Sequence, residues 1–135
     1  MRIKLILCAL ALTACTAKAP LSLRVAESEM ARNPEASYID GLEGKLKWNY
    51  TTGLELKAIL DASPKALDYV DAWYDTIIDS TGVIYKYKKS NYSQDHICPG
   101  RTLFGLYDIT GKEKYRVAMD TLYSQLLSQP RTPEP

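Results

Sequence analysis

The sequence is poor in the residues that build metal centres and disulfide frameworks. Its 135 residues include one histidine and three cysteines, and these form neither a CxxC pair nor the Cys/His spacing of a zinc site. Only Cys98 lies beyond the first fifteen positions, so it has no cysteine partner in a processed chain. The sequence therefore predicts no metal site and no internal disulfide.

Strong charge of one sign and long apolar runs are also missing. The formal net charge is +1 and no basic stripe occurs, which argues against a nucleic-acid partner. Beyond the N-terminal residues, no stretch is long and apolar enough to span a bilayer. What remains has the length of one small domain with a modest hydrophobic core.

The N-terminus has the pattern of an export signal. Arg2 and Lys4 precede the apolar run Leu5 to Leu12, and the run leads into Leu12-Thr13-Ala14-Cys15, which resembles a bacterial lipobox. We interpret residues 1–14 as a lipoprotein signal peptide, Cys15 as the lipidation site and residues 15–20 as a linker. The alternative is an ordinary secretory signal cleaved around residues 17–19. Either reading predicts an exported protein, and the first predicts membrane contact through the lipid alone, in the periplasm or at the cell surface.

Helical periodicity dominates the rest of the chain. It predicts helices over residues 20–32, 54–60, 65–78 and about 99–110, and a last helix that stops before Pro130. Thr110 and Glu113 have the spacing of a capping box for that last helix, residues 35–47 are predicted as loop, and residues 83–87 as a short extended arm. Tyr-x-x-Ala occurs at Tyr69 and at Tyr115, which favours stacked helical hairpins. The predicted fold class is all-α.

The segment Asn91 to Tyr107 contains several polar residues that could bind a ligand or take part in catalysis. Asp95 and the lone His96 precede Pro99, and Arg101 follows at the predicted start of a helix. A carboxylate, an imidazole and a guanidinium at a helix N-terminus can bind or process a polar, acidic ligand. The same residues can also act as helix caps, and their spacing leaves both interpretations open.

Three motifs together resemble one enzyme family. The segments 48–54 (WNYTTGL), 91–101 (NYSQDHICPGR) and 128–132 (SQPRT) occur in this order in the N-terminal part of the unsaturated rhamnogalacturonyl and glucuronyl hydrolases, glycoside hydrolase families 105 and 88. The resemblance covers residues 21–135 and implies a partial (α/α)6 toroid. It also implies removal of 4,5-unsaturated uronic acid from the non-reducing end of pectin-derived oligosaccharides by hydration of the vinyl ether, without a metal or organic cofactor.

The resemblance also implies roles for individual residues. Asp95 matches the first of the family's two important aspartates, and a carboxylate beside a helix N-terminus and Arg101 suits a supporting catalytic role. We further expect Trp48 to be exposed on a loop, where it could stack on a sugar ring. The predicted substrate-binding residues are Trp48, Asn49, Tyr50, His96 and Arg101.

Two expectations about the whole chain follow. The family's second aspartate belongs to a motif downstream of residues 128–132, so we expect this chain to be a truncated hydrolase that is inactive alone. The alternative function is a non-catalytic helical-repeat lipoprotein that binds carbohydrate or a partner protein. The sequence does not specify the oligomeric state.

Overall fold

The computed structural model describes residues 18–131, and within this range all regular structure is helical. The α-helices are α1 (Leu21–Arg32), α2 (Tyr50–Ala62), α3 (Leu67–Ile77), α4 (Arg101–Thr110) and α5 (Glu113–Leu127). Short 3-10 helices cover Ala36–Gly41, Pro64–Ala66, Lys89–Asn91, Gln94–His96 and Cys98–Gly100. The all-α prediction is confirmed. The predicted signal peptide, Cys15 and Thr132 lie outside the described residues.

Helices α1 and α2 pack against each other. Ala26 of α1 and Leu56 and Ile59 of α2 are buried, as expected for apolar residues at helical spacing. Helix α2 begins four residues earlier than predicted, because the Asn49 side chain accepts a hydrogen bond from the Thr52 amide (3.4 Å) and so caps it. None of the helices in residues 18–131 is long and apolar enough to cross a membrane.

Helix α3 is the central amphipathic helix, with Val70, Trp73, Tyr74 and Ile77 buried. It starts after the 3-10 turn at Pro64, a residue favoured in a first helical turn because it has no amide hydrogen to leave unpaired. The chain then reverses, and Ile78 forms an isolated antiparallel bridge with Ile84. The predicted extended arm is thus a single bridge rather than a strand.

Helices α4 and α5 form a hairpin. Gly111 ends α4 with φ of 64°, a left-handed conformation that glycine adopts without steric cost. The predicted capping box is wrong: Thr110 is the last residue of α4 and donates to the Leu106 carbonyl at 2.7 Å. Lys112 occupies the N-cap position of α5 and makes no side-chain cap hydrogen bond.

The segment 35–47, predicted as loop, contains the 3-10 helix Ala36–Gly41. Ile39 within it is fully buried, so the segment is anchored to the core by an apolar side chain. Asp40 has φ of 55° and is stabilised there by hydrogen bonds from Asn49 (3.2 Å) and Thr51. Tertiary contacts, rather than local helical propensity, therefore order this segment.

Two close contacts fix α2 and α3 against the turn that precedes α4. The Tyr74 hydroxyl donates to the Pro99 carbonyl at 2.8 Å. A Cβ atom at Gly53 would lie 2.5 Å from Pro99 Cα, so only glycine permits this approach. These contacts hold the segment that carries Asp95 and His96 against the core.

Candidate functional site

Asp95 and His96 lie in a 3-10 turn rather than at a helix N-terminus. Asp95 lies in the turn Gln94–His96, and the turn Cys98–Gly100 separates it from Arg101 at the start of α4. The first turn of α4 contains no acidic residue. The prediction that Asp95 lies at the N-terminus of a helix with Arg101 is therefore wrong, because Pro99 and Gly100 form a turn of their own.

Asp95 and Arg101 are both exposed. Among residues 18–131, neither side chain has an ion-pair partner within 4.0 Å. The two therefore form no ion pair with each other, and neither acts as a side-chain cap of α4. Both charges face solvent, where a polar ligand can reach them.

His96 is half-buried and tied to two other segments. Its backbone carbonyl accepts a hydrogen bond from Trp48 Nε1 at 2.7 Å, and its ring meets the Tyr87 ring edge-on, with centroids 6.3 Å apart. Its Nδ1 atom is buried, with no hydrogen-bond partner in the described part of the chain. Thr52, Ser63, Trp73 and Thr102 also have buried side-chain polar atoms of this kind, so this property alone does not mark His96 as functional.

The prediction that Trp48 is exposed is wrong. Only 4% of its surface is accessible. Its ring stacks on Trp73 with centroids 6.1 Å apart and meets Tyr74 edge-on at 6.0 Å. Burying three large aromatic side chains in one cluster is more favourable in free energy than leaving the Trp48 indole in water. A sugar cannot stack on the ring face that Trp73 covers.

Asn49 and Tyr50 have different environments. Asn49 is buried, and besides capping α2 it donates to Asp40 at 3.2 Å and to Thr51 at 2.7 Å. Tyr50 is the first residue of α2 and is 47% exposed. Of the two, Tyr50 is the side chain that a ligand can contact directly, whereas Asn49 orders the segment around it.

Gln125, which the sequence analysis missed, supports the site loop from α5. It is fully buried; its Oε1 accepts from the Tyr87 hydroxyl at 2.8 Å and its Nε2 donates to the Ser93 carbonyl at 3.1 Å. Gln129 Nε2 donates to the Tyr92 carbonyl at 3.0 Å. A signal for Gln125 exists in the sequence: it lies three residues after Leu122 and seven after Ala118, on the buried face of α5.

A groove of about 550 Å³ opens beside His96. The residues that line it are Leu42, Lys45, Leu46, Lys47, Trp48, Tyr85, Lys86 and His96. A larger groove of about 680 Å³ lies between α3 and the Ala36–Gly41 turn, and it includes none of the predicted site residues. The groove at His96 is therefore the cavity that belongs to the candidate site. No group of three or more metal-ligating side chains occurs within residues 18–131.

Comparison with known proteins identifies the family. The sequence profile of Glycosyl Hydrolase Family 88 matches residues 21–135. The chain belongs to glycosyl hydrolase family 88. A comparison with curated proteins finds no match.

One solved structure is similar in fold to this family 88 chain. It is a glycoside hydrolase from family 105 of C. acetobutylicum ATCC 824, which superimposes with a TM-score of 0.68 and is 33% identical. The alignment covers 83% of this chain and 30% of the solved chain. The resemblance to families 88 and 105 is confirmed, and this chain spans less than a third of that relative's length.

Proposed function

We propose that this family 88 chain serves the hydrolysis of 4,5-unsaturated uronic acid from the non-reducing end of pectin-derived, rhamnogalacturonan-type oligosaccharides. The observation that carries the proposal is the family match over residues 21–135, which includes the segment with the exposed Asp95. The reaction is the hydration of the vinyl ether of the unsaturated uronate. Water adds across the double bond, and the resulting hemiketal collapses and releases the remaining sugar chain.

Asp95 suits a supporting role in this reaction. Asp95 is exposed, so its carboxyl oxygens can accept hydrogen bonds from water or from sugar hydroxyls. We assign to Asp95 the orientation of water or substrate.

The remaining predicted residues divide by accessibility. The exposed Arg101 guanidinium can bind a uronate carboxylate through two parallel hydrogen bonds, and the exposed Tyr50 ring can pack against a sugar. His96 borders the groove. Asn49 and Trp48 are engaged within the protein, so we assign to them the support of their neighbours.

We propose that this 135-residue chain alone does not turn over the substrate, because it spans 30% of the related hydrolase. Large side chains on α4 and α5 are exposed, among them Phe104 at 64% and Leu127 at 71%. Apolar groups so exposed are commonly covered by further structure. Loss of ultraviolet absorbance from an unsaturated rhamnogalacturonan disaccharide measures turnover, and the C. acetobutylicum enzyme is the comparison. Turnover by the chain alone contradicts inactivity.

Binding tests the proposed function without requiring turnover. We expect the unsaturated disaccharide to shift the amide resonances of residues 91–101, and Asp95→Asn to weaken this binding. Asp108→Asn is the matched control, because Asp108 is another exposed aspartate, on α4. Equal binding by both variants contradicts the role of Asp95. Equal affinity for the saturated disaccharide favours the alternative, a non-catalytic carbohydrate-binding protein.

We also propose that the protein is exported and anchored through a lipid on Cys15. The support is the lipobox-like sequence alone, since Cys15 lies outside the described residues. Radiolabelled palmitate should be incorporated into the wild-type chain expressed in bacteria and absent from a Cys15→Ala variant. Incorporation into both variants would contradict the assignment of Cys15.

A further inference from the structure

The groove beside His96 is lined by basic side chains. Lys45, Lys47 and Lys86 contribute three ammonium groups from two separate segments, 42–48 and 85–86. The two segments are distant in sequence and are brought together by the core contacts of Trp48 and Ile84. A cavity with cations on two sides concentrates positive potential between them.

Few carboxylates of the protein lie close enough to neutralise the charges of these lysines. Lys45 lies 3.9 Å from Glu43, and both side chains are 81% exposed, so water weakens this pair. Lys47 and Lys86 have no carboxylate within 4.0 Å among residues 18–131. The Lys86 ammonium lies 5.0 Å from the centre of the Tyr85 ring, an attraction that leaves its positive charge in place. Within residues 18–131, Glu43 is therefore the one acidic side chain that lies within 4.0 Å of these ammonium groups.

The conformation of Lys86 is unusual. Its φ is 55°, a left-handed conformation that non-glycine residues adopt at a cost and that is concentrated at functional sites. The isolated bridge between Ile78 and Ile84, just before it, helps to fix the chain direction here. The fold thus holds Lys86 beside the groove although its positive φ is unfavourable in conformational free energy.

The groove includes two residues of the candidate site, Trp48 and His96. His96 lines it and follows Asp95 directly in the chain. Its volume of about 550 Å³ lies within the range of small-molecule sites, which is about 300 to 1,000 Å³. The groove is therefore large enough to hold a sugar.

We propose that this lysine groove, defined by Lys45, Lys47 and Lys86, binds an anionic group on a sugar beyond the bond that is cleaved. The proposal rests on the proposed function and adds to it that oligosaccharides with a second negative charge, besides the unsaturated uronate, bind more tightly than those without one. A carboxylate and a sulfate are the two chemical sources of that charge. Both accept hydrogen bonds from ammonium groups.

The experiment measures binding of saturated probes, which have no vinyl ether and so do not depend on hydrolysis. The probes are trigalacturonate for the carboxylate, a sulfated neutral disaccharide for the sulfate, and maltotriose as the neutral control. Titrations are followed by the backbone amide signals of residues 45–48 and 85–86 and by the Trp48 indole signal. We expect shifts at these signals with an anionic probe, weaker binding at higher salt, and no shifts with maltotriose.

Substitutions locate the binding within the groove. Lys45→Gln, Lys47→Gln and Lys86→Asn should each weaken binding about twofold to fivefold, the range of exposed ion pairs. Asparagine is chosen at position 86 because it tolerates positive φ. Lys89→Gln is the matched control, since Lys89 is exposed and lies outside the groove lining. Retention of the wild-type amide spectrum shows that each variant is folded.

The outcomes separate the possibilities. Binding of one anionic probe but not the other supports the proposal and identifies the chemical group. The proposal is overturned if maltotriose binds as tightly as the anionic probes or if neither anion shows saturable binding. It is also overturned if Lys89→Gln weakens binding as much as the groove substitutions do. If the unsaturated disaccharide fails to bind while trigalacturonate binds in the groove, the proposed function fails and the groove assignment stands.

Discussion

The indole nitrogen of Trp48 donates a hydrogen bond of 2.7 Å to the backbone carbonyl of His96, 48 residues away in the chain. This bond joins two of the segments on which the family resemblance depends, residues 48–54 and 91–101. One segment thus supports the other: a buried indole fixes the turn in which Asp95 and His96 lie. The occurrence of both motifs in one chain has a structural explanation as well as a functional one.

We expect Trp48→Phe to lower the free energy of unfolding more than Trp73→Phe. Both substitutions shrink a buried indole, but only Trp48 Nε1 has a hydrogen-bond partner among the described residues. Leaving the His96 carbonyl unsatisfied should add about 1–3 kcal/mol to the loss. Urea unfolding of the two variants measures the difference, and equal losses would show that the hydrogen bond contributes nothing.

Gly53→Ala and Gly105→Ala should have opposite effects on stability. A Cβ at Gly53 would meet Pro99 Cα at 2.5 Å, whereas one at Gly105 meets nothing within 4 Å. Overpacking should make Gly53→Ala destabilising by about 1–3 kcal/mol. Gly105→Ala, inside α4, should stabilise by about 0.5–1 kcal/mol. Thermal unfolding measures both, and a neutral Gly53→Ala would contradict the close contact.

Gln125 and Tyr87 should be energetically coupled. Their side chains form a hydrogen bond of 2.8 Å, and contacting residues usually show coupling energies of about 0.5–3 kcal/mol. A double-mutant cycle of Gln125→Leu and Tyr87→Phe measures this. Because Gln125 also binds the Ser93 carbonyl, Gln125→Leu should speed amide hydrogen exchange at His96, whereas Tyr87→Phe should do so less. Additive effects would exclude the network.

The ion-pair cluster between α3 and α5 should make stability depend on acid pH. A hydrogen bond from Lys112 lowers the pKa of the Asp75 carboxyl, with partial opposition from burial. A carboxyl with a lowered pKa in the folded state stabilises the protein fully above its unfolded value, ordinarily 3.8. That stabilisation is lost as the pH falls through the lower folded pKa.

The test compares denaturant unfolding from pH 6 down to pH 2. We expect wild type to lose stability below about pH 4, and Lys112→Gln to lose less over the same range because the larger of the two lysine contributions to Asp75, from Lys112 and Lys114, is already absent. Lys57→Gln is the control, since it breaks an exposed ion pair within α2 and should leave the acid dependence nearly unchanged. Identical pH profiles for wild type and Lys112→Gln would contradict this assignment.

Misplaced residues show where sequence patterns were insufficient. Trp48 precedes a helix among polar residues, and its local sequence resembles an exposed loop; burial follows from Trp73 and Tyr74, which belong to another helix. Thr110 has the spacing of a cap, yet α4 continues through it. For Trp48 a contact with another helix overrides the local pattern, whereas for Thr110 the competing contact is local, a hydrogen bond to the Leu106 carbonyl of its own helix.

The helical class and most helix limits follow from the amino-acid sequence. Apolar periodicity defines α1, α3 and α5, and Asn33-Pro34, Ser63-Pro64 and Gly111 interrupt it, because helix formation and helix breaking depend on residues only three or four positions apart. The tertiary structure alone decided that Trp48 is buried, that Gln125 supports the site loop, and that Lys45 and Lys86 share a groove. These features depend on contacts between residues far apart in the chain, which no local periodicity encodes.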